Sequence, residues 1–93
     1  MSALSDTELQ QALHSLPHWK LEEGALTRTV KFPDFTDAVT FVNRLCPVAE
    51  KAAHHPDIDI RYNKVKLSLV THDEGGITNK DVQMAGLLDK VHP

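Results

Sequence analysis

Apolar residues recur at helical spacing in three stretches of the chain, and each stretch begins near a residue that can cap a helix. In the first, Ser5 and Glu8 have the spacing of a capping box, and the apolar face before Pro17 consists of Leu9, Leu13 and Leu16. The longest follows Asp34, and its stripe consists of Phe35, Ala38, Val39, Val42, Leu45, Ala49 and Ala52. The last follows Thr78 and Asp81 and contains Val82, Ala85, Leu88 and Val91. The pattern predicts three amphipathic helices, of which the middle one is the main helix.

One residue conflicts with an unbroken middle helix. Pro47 has no backbone N–H, and its ring collides with the carbonyl one turn earlier. We therefore expect a bend or a division of this helix near Arg44 to Cys46.

Between the helices the pattern changes to strict alternation, which is typical of half-buried strands. The first such region has a Glu23-Gly24 turn, and its alternating residues are Trp19, Leu21, Leu26, Val30 and Phe32, with Arg28 as the one charged member. The second has an expected turn at Asn63-Lys64, and its alternating residues are Ile58, Ile60, Tyr62, Val65, Leu67 and Leu69. Two β-hairpins are predicted, with Tyr62 ending a strand as a packing residue.

The order of elements is therefore α-β-β-α-β-β-α. Strands that arrive as hairpins favour an antiparallel sheet, and amphipathic helices must cover one face of it. The sequence predicts an α+β fold in two layers, a four-stranded antiparallel sheet with helices on one face. A chain of 93 residues is expected to form a single domain over residues 1–93.

Composition narrows the classes of function. Hydrophobic residues make up 41% and charged residues 25%, which is ordinary for a globular protein and argues against disorder and membrane spans. The formal charge of -3, with scattered Lys and Arg, gives no expectation of nucleic-acid binding. A lone cysteine, Cys46, cannot form a disulfide framework, and no signal peptide is recognisable at the N-terminus. A cytoplasmic location is expected, and a small neutral or weakly charged ligand is the expected partner.

Candidate chemistry is concentrated in histidines. His54 and His55 leave the end of the main helix, where Pro56 restricts His55 to extended conformations. Strand parity places His72 away from the core face. Glu50 lies four residues before His54, so we expect that carboxylate to orient the first imidazole. Imidazoles exchange protons near neutral pH, and the three together indicate acid–base chemistry.

The other histidines and one rival site are given less weight. His14, His18 and His92 are expected to be solvated residues at element ends. A metal site built from His54, His72 and Glu50 is conceivable, but no recognised metal-ligand spacing is present and adjacent histidines are awkward joint ligands.

A longer motif contains these residues. Seven positions at set spacings match the signature of the pterin-4a-carbinolamine dehydratases. These proteins are also called DCoH proteins, after their role as dimerisation cofactors of a nuclear transcription factor. The seven positions are Glu50, His54, His55, Pro56, Tyr62, His72 and Asp81. The segments Pro17-His18-Trp19, Glu22-Glu23-Gly24 and Phe32-Pro33-Asp34-Phe35 also resemble that family. Departures are Ala53, where many members have a polar residue, and Pro47, in a helix that members usually leave unbroken.

The resemblance implies a DCoH-like fold and a dehydratase without cofactor or metal. It would convert 4a-hydroxytetrahydropterin, the product of aromatic amino-acid hydroxylases, to quinonoid dihydropterin in tetrahydrobiopterin recycling. By this likeness His54, His55 and His72 serve proton transfer and pterin anchoring, Glu50 and Asp81 orient them, and Trp19 and Pro56 contribute to substrate binding. The resemblance also implies a homodimer or homotetramer and a functional link to a hydroxylase. A non-enzymatic oligomerisation or regulatory module of the same fold is the alternative.

Overall fold

The computed structural model describes residues 2–93, and within that range the chain forms three α-helices, one short 3₁₀ helix and four strands. In chain order these are α1 (Asp6–His14), β1 (Lys20–Glu22), β2 (Ala25–Lys31), α2 (Phe35–Ala52), β3 (Asp57–Arg61), β4 (Lys64–Leu69), the 3₁₀ helix (His72–Glu74) and α3 (Asn79–Val91). None of the helices in residues 2–93 is long and apolar enough to cross a membrane.

The four strands form one antiparallel sheet in the order β1-β2-β4-β3. The two central strands are paired so that Leu26 lies opposite Leu69 and Val30 opposite Val65. Because side chains alternate across a strand, this register puts the apolar residues of both strands on the same face. The α+β class and the four-stranded antiparallel sheet predicted from the sequence are confirmed.

The core lies between that face and the helices. Leu26, Val65, Leu67 and Leu69 are fully buried, and each fully buried leucine contributes about 1.5–3 kcal/mol relative to an exposed one. The helices supply the opposite side of this core, through Ala38, Phe41, Leu45, Met84, Ala85 and Leu88. The predicted apolar stripes of α2 and α3 are therefore the surfaces that cover the sheet.

Helix starts agree with the capping residues seen in the sequence. The Ser5 hydroxyl accepts from the Glu8 N–H at 3.2 Å, and the Glu8 carboxylate accepts from the Ser5 N–H at 2.8 Å. Asp34 caps α2 by accepting from the Asp37 N–H at 2.8 Å. These bonds satisfy backbone donors that have no partner inside a helix.

Pro47 does not divide the main helix, which runs without interruption from Phe35 to Ala52. Both Pro47 and Asn43, whose carbonyl would have bonded to an N–H at position 47, are exposed to solvent. Water can therefore hydrate that carbonyl in place of the missing N–H donor, and the helix continues. A division near Arg44 to Cys46 is therefore excluded, and the bend expected there stays a prediction.

The second hairpin turns one residue earlier than predicted. Arg61 is paired with Lys64, so the turn consists of Tyr62 and Asn63. Asn63 fixes this register through two hydrogen bonds to Phe32. Its side-chain amide donates to the Phe32 carbonyl at 2.9 Å, and its backbone carbonyl accepts from the Phe32 N–H at 2.8 Å. Tyr62 has a left-handed φ of 53° and is 67% exposed, so it is a turn residue and the packing role predicted for it was wrong.

The charged member of the first hairpin points towards the helices. Arg28 is buried, and its Nη1 donates to Asp89 Oδ1 of α3 at 2.6 Å and to the His92 carbonyl at 2.9 Å. The His92 ring packs edge-on against Phe32 and Phe41, with centroid distances of 5.1 and 5.7 Å. His92 is therefore half-buried and not the solvated end residue that the sequence predicted.

Candidate active site

Three imidazoles line one open cleft of about 290 Å³ at the end of α2. His54 and His55 come from the segment after α2, and His72 comes from the 3₁₀ helix after β4. The complete lining is Ala53, His54, His55, Val70, Thr71, His72, Asp73 and Lys80. Two segments that are distant in sequence thus bring three proton-exchanging groups to one surface.

His54 is held by a buried carboxylate. Its Nε2 lies 2.6 Å from Asp81 Oδ1, and the two side chains are 14% and 0% exposed. The chain reverses at Ala53, which ends α2 with a left-handed φ of 52°, and the His54 N–H still bonds to the Ala49 carbonyl. This reversal turns His54 towards the start of α3, where Asp81 lies.

Asp81 has two roles in the structure. As the third residue of α3 it accepts from the Thr78 N–H at 2.9 Å, which completes a capping box with Thr78. The oxygen that accepts from the Thr78 N–H is Oδ2, and it also accepts from the Thr71 hydroxyl at 2.8 Å. A buried carboxylate is costly unless it is well paired, and these donors together with His54 provide that pairing.

The second imidazole is more exposed. His55 Nε2 is bonded to Glu50 Oε2, and both side chains are more than half exposed. The sequence predicted that Glu50 would orient His54, and that expectation was wrong. Four-residue spacing brings side chains together only while the helix continues, and α2 ends before His54.

His72 is the third imidazole and lies at the start of the 3₁₀ helix. The loop that carries it is closed by an isolated bridge between Thr71 and Gly76, and it ends at Gly75, whose left-handed φ of 70° suits glycine. The His72 side chain is exposed and makes no hydrogen bond to other residues in the described part of the chain. It is therefore free to meet a ligand in the cleft.

Two residues assigned to the pocket by resemblance lie elsewhere. Trp19 is buried in the core, and its indole Nε1 donates to Asp89 Oδ1 at 2.8 Å on the α3 side of the sheet. Pro56 is buried and is not part of the cleft lining. Neither residue lines this cleft, so a substrate contact by either of them there is not supported.

Sequence reasoning missed four residues of the lining, which are Val70, Thr71, Asp73 and Lys80. Thr71 and Asp73 flank His72 in the sequence, so proximity to a candidate histidine was the signal that could have found them. Lys80 lies in the first turn of α3, and its place beside His54 depends on how that helix meets the end of α2.

The cleft is distinguished by its chemistry and not by its size. A cavity of about 300 Å³ beside Phe41 and His92 is equally large but has only one imidazole in its lining. No cluster of three or more His, Cys, Asp or Glu side chains within residues 2–93 is arranged to hold a metal ion. The arrangement at His54, His55 and His72 is suited to donating and accepting protons on a small ligand.

The two-layer α+β fold and the imidazole-lined cleft define a class of small proteins suited to acid–base chemistry on a small ligand. Sequence comparison identifies the family. The sequence model described as Pterin 4 alpha carbinolamine dehydratase matches residues 2–91. The chain belongs to this family. Proteins of Acidobacterium capsulatum and Mycolicibacterium smegmatis, both named provisionally as pterin-4-alpha-carbinolamine dehydratases, are similar to it. The first is 48% identical to this chain over 89 residues, and the second is 50% identical over 91 residues. These matches cover 96% and 98% of this chain, and 97% of each relative.

Solved structures agree with this assignment. A transcriptional coactivator/pterin dehydratase from Brucella melitensis superposes with a TM-score of 0.92 at 35% identity, covering 99% of this chain and 100% of the other. A pterin dehydratase-like protein described as a RuBisCO assembly factor in the alpha-carboxysome has a TM-score of 0.62 at 18% identity, covering 78% and 84%. The second likeness shows the shared fold alone.

Proposed function

We propose that this chain, as one domain over residues 1–93, dehydrates 4a-hydroxytetrahydropterins to quinonoid dihydropterins in tetrahydrobiopterin recycling. The observation that carries the proposal is the convergence of His54, His55 and His72 on one cleft. Membership of the dehydratase family supplies the substrate class. The proposed partner is therefore a small pterin produced by an aromatic amino-acid hydroxylase.

The reaction needs only proton transfers. The C4a–O bond breaks and the hydroxyl leaves as water after receiving one proton, while the N5 electron pair forms the C4a=N5 double bond. N5 then gives its proton to a base, so one proton enters, one leaves, and the products are water and the dihydropterin. An imidazole can serve at either position because its ordinary pKa, about 6.5, lies near cellular pH.

Each positioned proton-transfer group contributes about 10²- to 10⁴-fold to a rate. Such a carbinolamine also decays unaided, so this modest acceleration is sufficient for the proposed role. We assign His54, His55 and His72 to proton transfer and anchoring. Asp81 orients His54, and Glu50 orients His55.

The test follows the absorbance of freshly generated 4a-carbinolamine with wild-type protein and with His72→Ala. We expect the enzymatic acceleration to fall by about 10²-fold or more, since this exposed imidazole contributes proton transfer and little packing. His18→Ala is the matched control, because His18 is exposed and lies outside the cleft. Equal decay with wild type, His72→Ala and the blank would refute the enzymatic assignment.

A regulatory role is a second candidate, favoured by the name of the Brucella melitensis structure, which is described as a transcriptional coactivator as well as a pterin dehydratase. Such a role would use helix and sheet surfaces and not the imidazoles. Replacing His54 and His72 by Ala separates the two functions. A dehydratase loses turnover and keeps its assembly state, whereas an adaptor has no turnover to lose.

A further inference from the structure

Thr71 connects the active-site carboxylate to the start of α3. Its hydroxyl lies 2.8 Å from Asp81 Oδ2 and 2.9 Å from the Thr78 hydroxyl. Thr71 precedes His72 and follows β4, and its backbone is fixed by two hydrogen bonds to Gly76 at 3.0 and 3.4 Å. One threonine therefore contacts the carboxylate that holds His54 and is covalently joined to His72.

The protons of this network can be assigned from its donors and acceptors. A carboxylate only accepts, so the Thr71 hydroxyl proton is directed at Asp81 Oδ2. Thr71 then has only acceptor capacity for Thr78, whose hydroxyl must donate to it while accepting from the Lys80 N–H at 3.2 Å. The hydrogen bonds from the Lys80 N–H through the Thr78 and Thr71 hydroxyls are thus all directed towards the Asp81 carboxylate.

The same carboxylate determines the tautomer of His54. Asp81 Oδ1 is 2.6 Å from His54 Nε2, so that nitrogen must carry a proton and donate it. In the neutral ring Nδ1 is then unprotonated and available as a proton acceptor. Because Thr71 and Thr78 occupy Oδ2, Oδ1 is the oxygen that remains for His54.

We propose that Thr71 is a positioning residue for the dehydratase site, where its hydroxyl holds Asp81 and through it fixes His54 in the Nε2–H tautomer with Nδ1 as the base. This inference rests on the proposed function for its catalytic meaning. The fixed tautomer itself is a property of the folded protein and can be measured without substrate. Thr71 acts through Asp81, as the outer partners of ligating histidines act through theirs.

The experiment compares wild type, Thr71→Val and Thr71→Ser. Thr71→Val keeps the shape and removes the hydroxyl, whereas Thr71→Ser keeps the hydroxyl. Ring ¹⁵N chemical shifts of His54 distinguish a protonated nitrogen from a bare one. We expect a single Nε2–H tautomer in wild type and Thr71→Ser, and a mixture of tautomers in Thr71→Val.

With the pterin carbinolamine, kcat should fall about ten- to a hundredfold in Thr71→Val with little change in KM, and Thr71→Ser should restore it.

Thr27→Val is the matched control, because Thr27 is buried in β2 and its hydroxyl has no hydrogen-bond partner among residues 2–93. It should leave both the tautomer and kcat unchanged. Should Thr71→Val not fold, Thr71→Ala provides the same loss of the hydroxyl without added bulk.

Two results would overturn the inference. One is an Nδ1–H tautomer of His54 in the wild-type protein, and the other is an unchanged tautomer and kcat in Thr71→Val. If wild type has no turnover at all, the proposed function fails, while the spectra still decide whether Thr71 fixes His54.

Discussion

The three imidazoles of the cleft differ in burial and in hydrogen-bond partners. His54 is nearly buried against a fully buried carboxylate, whereas the pair formed by His55 and Glu50 is exposed to solvent. Exposed polar pairs of this kind contribute little to stability, typically about 0–1 kcal/mol, so we expect the loss of Glu50 to leave the fold almost unchanged. His72 has no partner within the described residues and is the ring most free to adjust to a ligand.

The backbone before His54 is a point of strain that a substitution can relieve. Ala53 has a left-handed φ of 52°, a conformation that costs a residue with a Cβ roughly 1–2 kcal/mol and costs glycine almost nothing. We expect Ala53→Gly to raise the free energy of unfolding by about 0.5–1 kcal/mol, after the greater freedom of glycine in the unfolded chain is deducted. Urea unfolding measures this change.

Ala52→Gly is the matched control for that substitution. Ala52 is the last residue of α2 and has helical geometry, so the same replacement one residue earlier should destabilise by roughly 0.5–1 kcal/mol. Equal losses from both variants would show that the left-handed conformation at Ala53 carries no cost.

At the level of elements, local patterns were sufficient for most of the fold. Periodicity located the helices, the capping residues Ser5, Asp34 and Thr78 located their starts, and Glu23-Gly24 located the first turn. The second turn was displaced because Asn63 is bonded to Phe32, which is 31 residues away. The division of α2 at Pro47, one of the two expected outcomes, does not occur, because the effect of a proline depends on which side of the helix faces solvent, a property of packing.

The open face of the sheet has a salt bridge that extends across β2. Lys66 of β4 hydrogen-bonds the Glu22 carboxylate of β1, and Lys20 lies 3.2 Å from the same group. These two lysines hold the pKa of Glu22 below its usual value of 4.5. A carboxyl whose pKa is lowered by folding stabilises the fold above its unfolded pKa, and this contribution is lost as pH falls through the folded pKa.

Glu22→Gln should therefore reduce the acid dependence of stability. We expect the difference in melting temperature between pH 7 and pH 3 to be smaller than in wild type, and 1 M NaCl to diminish the wild-type difference because the pair is exposed. Glu23→Gln is the control, since Glu23 is adjacent in sequence but does not hydrogen-bond Lys66. An identical acid dependence in Glu22→Gln and wild type would contradict the assignment.

At the scale of the whole molecule, contacts between distant residues set the limit of sequence reasoning. Asp81 and His54 are 27 residues apart, and Asp89 is bonded to Arg28 and Trp19 from 61 and 70 residues away. The family signature contained Asp81 and His54 but not their pairing. The wider family resemblance assigned Trp19 to a pocket, although its indole is in the core. Spacing in a sequence does not specify which helix end meets which loop, so these partners required the structure.

The sheet also predicts self-association. β1 and β3 are its outer strands, and their unpaired backbone groups sit beside exposed apolar side chains, Leu21 on β1 and Ile58 on β3, each 39% exposed. We expect a homodimer or homotetramer, so sedimentation equilibrium should give at least twice the 10.4 kDa chain mass. Leu21→Lys and Ile58→Lys place the same charge on opposite edges, and the variant that lowers the mass identifies the edge that pairs. A wild-type mass of 10.4 kDa at all concentrations would contradict association, because an edge that recruits a second copy must do so as the protein is concentrated.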